Sequence, residues 1–444
     1  MTLRRKESQK LLGRLAKVES PDVTFLGERF PIVMKKARGL SVTDVDNNRY
    51  LDFTACFGVL ALGHGSAIVR SALRRQSAKL IHGMGDVHPT REKIKLLELL
   101  AGVVPFANAK ITLGLSGSDA VDTAIKTAMI ATNRNRFLSF SGGYHGLTLG
   151  PLALNSRQHF RKDFEFWIEH KATILPFPES DISPEYVCAN VSPTSEELKN
   201  RGFTSVSEAF SVLEKELRTQ AYAAVVFEPL QGRAGEREWP TGFLKKCESL
   251  AQQTGTLLIA DEIFSGFGRT GKFWAHEHHG ITPNIICAGK ALGGGLPLSA
   301  CIADCMDAWG KSTGEARHTS TFLGHPLACA VGYDVVSEIC RTLPLIQERC
   351  QKLDVELQAF VRLCRQMGIA ERHPFVVRGK GYMRGLWFFR EAPGFAAELS
   401  EKLLEKGFFT LPSGECGDVL SLTPPLTTTM AHFRKLFRVV ASLL

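Results

Sequence analysis

Short apolar runs alternate with amphipathic stretches through the middle of the chain, which predicts strands separated by helices. The predicted strands are the apolar runs 111–115, 136–140, 223–227, 256–260, 284–288 and 298–303. The predicted helices, where apolar residues recur at helical spacing, include 119–132, 205–219 and 241–254. Strands separated by helices form βαβ units, so we expect an α/β fold with a mostly parallel sheet between helices.

The N-terminal part of the chain and one later stretch follow other patterns. Residues 1–40 predict an extended or helical arm, and residues 41–53 predict a hairpin with an Asp-Asn-Asn turn. The stretch 178–204 is polar and contains prolines, so we expect it to be a surface excursion between two buried elements.

A further change of pattern suggests how the chain divides into domains. Near the C-terminus, long helical patterns precede short strands around 375–390 and 419–422. We therefore predict three units. Residues 1–60 form an arm and hairpin that belong to a small domain, residues 61–325 form the large domain, and residues 326–444 form the C-terminal α+β small domain.

The composition is that of an ordinary globular protein. Of the 444 residues, 44% are hydrophobic and 22% are charged, which excludes a disordered or low-complexity chain. The net charge of +9 is mild for this length and forms no basic stripe interleaved with aromatics, so we expect no nucleic-acid partner. No segment approaches about 18 uninterrupted apolar residues, so we expect no membrane partner.

Cysteines, histidines and glycines show no pattern that would indicate a metal or dinucleotide site. The 11 cysteines form no CxxC pair, so we expect reduced thiols and a cytoplasmic protein. The cluster 276–279 lacks HExxH spacing and Cys301 and Cys305 lack further ligands, so no metal is expected. The segment 266–271 matches GxGxxG, but the acid that would bind a ribose is missing.

The loops that follow the first two predicted strands have features of a ligand site. Ligands of parallel α/β sheets bind at the carboxyl ends of the strands. Ser116, Gly117 and Ser118 follow the first strand and begin a helix, whose free amides suit a phosphate. Tyr144 and His145 stand between glycines in the next loop, where Tyr144 offers a stacking face for a flat ligand. The alternatives are a plain helix N-cap and an ordinary surface tyrosine.

Two later strand ends carry charged residues. Asp261 and Glu262 end an apolar strand, where a carboxylate needs a metal, a sugar hydroxyl or a cationic ring nitrogen as partner. Lys290 follows the strand 284–288, where desolvation lowers the pKa of an amine and frees its lone pair. The alternatives are a helix-capping acid and a surface lysine. Together, the four loops offer a phosphate cradle, a stacking face, an acid and a nucleophilic amine, which pyridoxal phosphate requires.

A series of longer motifs supports the same cofactor. They are DVDNNRYLDF (44–53), LGHG (62–65), SGSDAVDTAIKTA (116–128), GGYHG (142–146), EPLQG (228–232), ADEIFSGFGRTGKFWA (260–275), GKALGGGLPLSA (289–300), TFLGHPLACA (321–330) and TPPL (423–426). With these motifs the chain resembles the class III pyridoxal-phosphate aminotransferases, the ornithine and 4-aminobutyrate aminotransferase group. The resemblance implies fold type I, with a mostly parallel seven-stranded sheet and a smaller α+β domain, in an obligate homodimer with composite active sites.

The resemblance also implies roles for individual residues. Lys290 is expected to form the internal aldimine, Asp261 to pair with the pyridinium nitrogen, and Ile263 and Tyr144 to contact the two ring faces. Thr321 is expected to reach the phosphate across the dimer interface. The implied cofactor-binding residues are Ser116, Gly117, Ser118, Tyr144, His145, Glu228, Asp261, Ile263, Lys290 and Thr321.

The chain departs from the family at the usual carboxylate anchors. Ser421 stands where glutamate-using members have an arginine, and Arg233 stands where they often have a glutamate. Leu147 and Phe264 replace an arginine and a glutamine that several members carry. We expect Arg233 and Ser421 to line the substrate site. The alternative is that Arg233 is a solvent-exposed loop residue and that Ser421 has drifted.

The expected function is therefore amino-group transfer from a primary amine or amino acid to an oxo acid or aldehyde. In this ping-pong scheme Lys290 is both general base and general acid. The alternative on the same scaffold is an isomerase, either an amino-acid epimerase or racemase or an aminomutase, because neither needs a separate dicarboxylate donor.

Overall fold

The computed structural model describes residues 3–24, 32–179, 181–190, 192–310 and 314–444. No helix in these ranges is long and apolar enough to cross a membrane. The strands are β1 Met34–Arg38, β2 Ser41–Asp44, β3 Arg49–Asp52, β4 Lys110–Gly114, β5 Arg136–Phe140, β6 Ala172–Leu175, β7 Phe177–Pro178, β8 Val187–Cys188, β9 Phe203–Thr204, β10 Tyr222–Phe227, β11 Leu257–Asp261, β12 Ile285–Ala288, β13 Ser299–Ala303, β14 Phe375–Lys380, β15 Met383–Trp387, β16 Phe408–Phe409, β17 Leu411–Ser413 and β18 Val419–Leu422.

The helices alternate with these strands through the middle of the chain. The α-helices are α1 Lys6–Leu15, α2 Ala55–Gly58, α3 Ala67–Ser77, α4 Arg91–Ala101, α5 Gly117–Thr132, α6 Leu149–Leu152, α7 Gln158–Arg161, α8 Glu165–Ile168, α9 Ser195–Asn200, α10 Val206–Leu217, α11 Phe243–Thr254, α12 Pro326–Gln366, α13 Ile369–Arg372, α14 Phe395–Glu405 and α15 Met430–Leu443. Short 3-10 helices span Lys162–Phe164, Pro184–Tyr186, Ala275–His279, Lys290–Gly293 and Met306–Trp309.

A seven-stranded sheet forms the centre of the molecule, in the order β4-β13-β12-β11-β10-β5-β6. Only β13 runs antiparallel to its neighbours β4 and β12, so the prediction of a mostly parallel sheet is confirmed. All six predicted strands are present, and each of their bounds differs from the prediction by at most one residue. The seventh strand, β6, was not predicted, because four residues are too few to show a periodic pattern.

Both faces of this sheet are covered by helices. Along β10, Val225 belongs to the part of the core between the sheet and helix α11. Val226 packs with helix α5 on the opposite face of the sheet. Along β11, Leu258 and Ile259 divide between the two faces in the same way. Strands buried on both faces read as continuous apolar runs, which explains why the sequence pattern located them. The motif loops therefore lie at the edge of a rigid layer.

The remaining strands connect the two ends of the chain. Strand β3 of the hairpin β2–β3 pairs with β16, so the N-terminal and C-terminal segments of the chain belong to one sheet. In the five-stranded sheet β17-β18-β15-β14-β8, strand β8 comes from the polar stretch 178–204. The expected surface excursion is wrong for that part, because Val187, Cys188 and Phe203 are buried. The division into three domains stays a prediction.

Candidate active site

The four predicted loops meet at one edge of the central sheet. β4, β5, β11 and β12 all point the same way, so their carboxyl ends lie side by side. Contacts join the loops directly. His145 after β5 contacts Asp261 at the end of β11, and a Cβ on Gly117 after β4 would lie 2.9 Å from Ile263. The structure thus brings together residues that are more than a hundred positions apart.

A buried ion pair stands at the middle of this edge. His145 Nδ1 lies 2.8 Å from Asp261 Oδ2, and the amide of Ile263 donates to Asp261 Oδ1 at 3.2 Å. Burial by itself lowers the pKa of His145, but the hydrogen bond and charge of Asp261, with the charge of Glu228, raise that pKa above its ordinary value. The imidazole therefore holds the Asp261 carboxylate in place through this contact.

Lys290 lies directly after β12 in a left-handed conformation, with φ 42°. Burial lowers the pKa of Lys290 to about 8, although the negative charges of Asp261 and Glu228 oppose this. Its Nζ lies 4.0 Å from the centroid of the Phe264 ring. An amine with this pKa is neutral in a substantial fraction near physiological pH, which a nucleophile and proton carrier requires.

The Phe264 ring is held between two glycines. A Cβ on Gly58 would lie 2.5 Å from Phe264 Cε2, and a Cβ on Gly232 would lie 2.3 Å from Phe264 Cδ1. Side chains at either position would displace the ring, so the two glycines permit the close approach of the backbone. Phe264 therefore gives Lys290 an apolar wall where several family members carry a polar side chain.

The first loop begins helix α5 as the sequence predicted. Ser116 is its N-cap, in a capping box in which Ser116 Oγ accepts from the Asp119 amide at 3.2 Å. Ser118 lies against the next loop, since a Cβ on Gly146 would lie 2.1 Å from Ser118 Oγ. The amides at the start of α5 point toward the site, so the loop has the donors and the helix dipole that a phosphate group needs.

The loop that carries Tyr144 is held by two side chains. Glu228, at the end of β10, accepts from the amides of Tyr144 and Gly232, each at 3.0 Å. Burial raises the pKa of Glu228 to about 7, against the positive charge of His145. Asn155, which sequence reasoning missed, accepts from the His145 amide at 2.8 Å. A lone asparagine outside the motifs carries no signal of such a role.

The substrate side of the site lacks the arginine–carboxylate pair of the glutamate-using family members, as the sequence predicted. Ser421 donates to Glu236 Oε1 at 2.5 Å, and both side chains are buried. Burial raises the pKa of Glu236 to about 8, although hydrogen bonds from Ser421 and Ser413 oppose this. Glu236 was missed because it lies three residues beyond the position where family members carry the acid. Its partner is a hydroxyl, not Arg233.

Arg233 lies over the aromatic wall of the site. Its guanidinium carbon is 5.5 Å from the ring centroids of both Tyr144 and Phe160. Arg233 keeps contact with solvent, while the atoms packed around it and the positive charge of Arg157 lower its pKa. It is exposed and, within the described residues, forms no ion pair with Glu228 or another acid.

Other patterns from the sequence have local partners. Arg269 in the GxGxxG match is buried and donates to the carbonyls of Gly58 and Pro424. His276 contacts Glu262 at 3.0 Å, while His278 and His279 contact other groups. The three histidines of the cluster 276–279 therefore do not share a common ligand position.

Thr321 lies outside these loops, in the segment that precedes helix α12. Its side chain is exposed, and it makes no hydrogen bond in the part of the chain that the structure describes.

One cluster has the composition of a metal site. The ligand atoms of Asp52, Cys56 and His64 all lie within 4.8 Å of one another. His64 Nε2 and Asp52 Oδ2 are 2.8 Å apart, which is a hydrogen-bond distance. Burial and the charge of Asp52 raise the pKa of the Cys56 thiol to about 11, which disfavours the thiolate that a metal binds. His64 therefore takes part in a local hydrogen bond with Asp52.

The assembled residues fit pyridoxal phosphate. A helix N-terminus faces one side of this edge, and an aromatic ring and an aliphatic side chain lie beside it. A buried carboxylate is held by His145, and Lys290 has a lowered pKa.

Comparison with known proteins gives the same class. The family model for class-III aminotransferases matches residues 26–444. An aminotransferase of Bacillus anthracis superposes with a TM-score of 0.83 at 23% identity, covering 99% of both chains. An acetylornithine aminotransferase of Methanopyrus kandleri is 32% identical, covering 90% of each chain. A leucine/methionine racemase of Thermococcus litoralis is 33% identical, covering 89% of this chain and 87% of its own.

The fold and site define a pyridoxal-phosphate enzyme of fold type I. The chain belongs to the class-III aminotransferases, and its activity is that of a pyridoxal-phosphate-dependent transaminase acting on small amines and oxo acids.

Proposed function

We propose that Lys290 is the catalytic residue of a two-stage amino-group transfer and that Asp261 is its electrostatic partner at the cofactor. The observation that carries the proposal is the lowered pKa of Lys290, about 8, at a strand end beside Asp261. In each stage the Lys290 amine would take a proton from the substrate Cα as general base and then deliver it as general acid to the C4′ position of the cofactor. The second stage repeats these steps in reverse with a different oxo acid or aldehyde.

The cofactor side of the proposal rests on charge and shape. When bound, pyridoxal phosphate supplies an electron-accepting ring that stabilises negative charge at the substrate Cα. Asp261, held by His145, is placed to keep the ring nitrogen protonated. Tyr144 and Ile263 would contact the two faces of the ring, and Glu228 supports the Tyr144 loop from behind.

The phosphate would lie at the start of helix α5. The amides of Gly117 and Ser118 and the Ser118 hydroxyl are the donors, while Ser116 shapes the turn as the N-cap. We also propose that Thr321 completes this site from a second copy of the chain, because its hydroxyl meets nothing in its own described chain.

A homodimer would cover an apolar surface beside Thr321. Ile81, Met84, Val87 and Phe322 are each more than half exposed. Their two segments are joined by a hydrogen bond from Thr319 to Asp86 at 2.7 Å. Contiguous exposed side chains of this kind are typical of an interface between subunits. All 11 cysteines are free thiols, which supports the further proposal that the protein works in the cytoplasm.

On the substrate side, Arg233 is proposed to bind an acidic group of the substrate. Its guanidinium carbon lies 5.5 Å from the centroid of the Tyr144 ring, and its positive charge adds, with that of Arg269, to the burial that lowers the pKa of Lys290. The hydroxyl of Ser421 donates to Glu236, so Ser421 would line the substrate site while Arg233 binds the acidic group. Arg233→Ala should raise KM for acidic substrates and spare uncharged amines.

The proposal is tested by half-reactions. The enzyme loaded with pyridoxal phosphate is mixed with single amines, and the absorbance shift from the pyridoxal to the pyridoxamine form is followed. Amines that give the shift are donors, and a stoichiometric oxo product should accompany each one. No shift with any amine, or a shift that Lys290→Ala retains at the same rate, would contradict the proposal.

A second candidate is an isomerase, since one similar chain is a leucine/methionine racemase. The two functions differ in stoichiometry. An isomerase converts a single enantiomer of an amino acid without an added oxo acid, whereas a transaminase stops after one turnover until an oxo acid is supplied. Chiral chromatography of the product with and without an added oxo acid therefore separates them.

A further inference from the structure

A cavity of about 700 Å³ lies between helix α12 and the turn that joins β14 to β15. The turn, from Arg378 to Arg384, forms one wall, and Trp239 lines another side. Asp181, Lys272 and Gln351 also line the cavity and are exposed, so it is open to solvent. The described residues that line it include none from the four active-site loops. Small-molecule sites in proteins occupy about 300–1,000 Å³, so a metabolite fits here.

Four charged side chains of the cavity wall form two ion pairs. Lys380 Nζ lies 2.7 Å from Glu238 Oε2, and Arg384 is paired with Asp354. Arg378 lines the same cavity, but within the described residues its guanidinium forms no hydrogen bond or ion pair and contacts only aromatic rings. Arg378 is only 8% exposed. The cavity wall therefore contains a buried cation whose charge the protein itself does not neutralise by contact.

The acids near Arg378 have other partners. Burial, and then the positive charge of Arg237, lower the pKa of Arg378 well below its ordinary value. The negative charges of Asp418, Glu236 and Glu238 oppose this shift. All three carboxylates accept hydrogen bonds from other groups. The donors are Arg201 and Trp387 to Asp418, Ser421 and Ser413 to Glu236, and the amide of Gly379 to Glu238. These acids are thus bonded to groups other than Arg378.

Two aromatic rings hold the Arg378 guanidinium in place. Its carbon lies 3.3 Å from the ring centroid of Trp387 and 5.0 Å from that of Phe203. Arg237 lies over the same Phe203 ring, at 4.4 Å, and its Nε and Nη1 are buried without a partner in the described chain. Arg237 does not line the cavity, so it adds positive charge beside Arg378 but does not itself contact a ligand there. Contacts with ring faces leave the N–H groups of Arg378 available.

We propose that this cavity is a second ligand site, at which Arg378 binds the phosphate or carboxylate group of a small organic anion. A guanidinium forms two parallel hydrogen bonds to either group. A buried cation without a partner is unfavourable, so an anion bound at Arg378 would stabilise the folded protein. Lys290 and Asp261 do not line the cavity, so the anion can bind while the active site is occupied.

The first test is calorimetric titration of the holoenzyme with three probes of the same carbon length, glycerol 3-phosphate, glycerate and uncharged glycerol. One or both anions should bind and glycerol should not, and the anion that binds more tightly identifies the group that the site prefers. Arg378→Met, which removes the charge and keeps the apolar stem, should weaken that binding by about tenfold or more. Arg378→Lys should retain part of it, since lysine keeps the charge but loses the bidentate geometry.

Arg390→Met is the matched control for these titrations. Arg390 also lies over an aromatic ring, 5.2 Å from the centroid of Phe389, but it is paired with Glu197 at 2.7 Å and does not line the cavity. This variant should bind the anion as the wild type does. No binding of either anion, or binding that Arg378→Met retains at full affinity, would overturn the proposal.

Hydrogen–deuterium exchange of the holoenzyme, with and without the tighter-binding anion, locates the site independently. Protection should appear in peptides that cover 347–354 and 376–384. Gln351→Trp places a large ring in the cavity from an exposed position of α12 and leaves Arg378 unchanged, so it should abolish both the protection and the binding heat. This variant decides the question even if Arg378→Met does not fold. Protection confined to the loops 116–118 and 142–146, or binding that Gln351→Trp leaves unchanged, would overturn the proposal.

Discussion

The charged side chains on the two sides of the site differ in whether they have a hydrogen-bond partner of opposite or complementary charge. On the cofactor side, Asp261 is met by His145 at 2.8 Å, and Glu228 accepts two backbone amides at 3.0 Å. On the substrate side, Arg157 and Arg233 have only aromatic rings beside them in the described chain.

This difference shows on which side of the site the protein itself supplies the partners of the charged groups. A buried charge with a close partner stays rigid and costs little further reorganisation when a ligand binds. A charge without a partner is stabilised only when a ligand of opposite charge arrives, so its position indicates where binding selectivity is exerted. The cofactor side is preorganised, and the substrate side is left for the ligand to complete.

The largest effect is expected from Lys290→Ala on the preorganised side. The variant should stay folded, lose the visible absorbance of the bound cofactor and lose transamination by about 10⁴-fold or more, because the general base and acid is removed. Borohydride reduction of the wild type should attach the cofactor to the peptide that contains Lys290. Lys272→Ala, at an exposed lysine, is the control. Labelling of another lysine would rule out the assignment.

Asp261→Asn comes next, because it removes charge at the centre of the preorganised side. The amide keeps the shape of the carboxylate but cannot stabilise a protonated ring nitrogen, so kcat/KM should fall by about 10²- to 10³-fold. Thermal unfolding should show that the variant remains folded. If Asp261→Asn transaminates at the wild-type rate, the electrostatic role of Asp261 is wrong and the pairing with His145 is only structural.

The variant Glu236→Gln tests the substrate side of the site by its effect on the pH dependence of the free energy of unfolding. The folded pKa of Glu236, about 8, lies above the ordinary value of 4.5. Glutamate at this position therefore contributes its full stability below about pH 4.5, and that contribution is lost as pH rises toward the folded pKa. The glutamine variant should match the wild type near pH 5 and be more stable by about 3 kcal/mol at pH 8.

Urea unfolding at pH 5, 6.5 and 8 measures this difference. Glu214→Gln, on the surface helix α10, is the control and should show no such trend. A stability gap between wild type and Glu236→Gln that is constant across this range would mean that Glu236 is ionised in the folded protein and has a cation partner.

The smallest effect is expected from Thr321→Ala. If its hydroxyl serves the phosphate site of a second copy, the variant should release cofactor more readily by about 1.5 kcal/mol, the scale of a hydrogen bond to a charged group. Equilibrium dialysis measures the affinity of the variant for the cofactor, and sedimentation shows whether the variant is a dimer. Serine at the same position should restore retention. Unchanged retention in a dimeric Thr321→Ala protein would remove Thr321 from the site.

Local sequence alone determined the strand ends to within one residue, the helix predicted at 119–132 and the motif loops with Asp261 and Lys290. These features follow from short-range rules, since apolar runs mark buried strands and small polar residues mark helix starts. The parallel direction of the sheet then placed the loops together. The pairing of His145 with Asp261 was not predicted, although both residues were named, because hydrogen-bond geometry between distant loops has no local signal.

Only the tertiary structure decided the substrate side. Asn155, Arg157 and Phe160 lie outside every motif, and their meeting with Arg233 depends on how a short helix folds back over the loop after β5. The hydrogen bond from Ser421 to Glu236 was also not predicted, because Glu236 lies outside every motif. The burial and the electrostatic surroundings of these side chains are set by segments that are far apart in sequence. No local sequence pattern could therefore predict them.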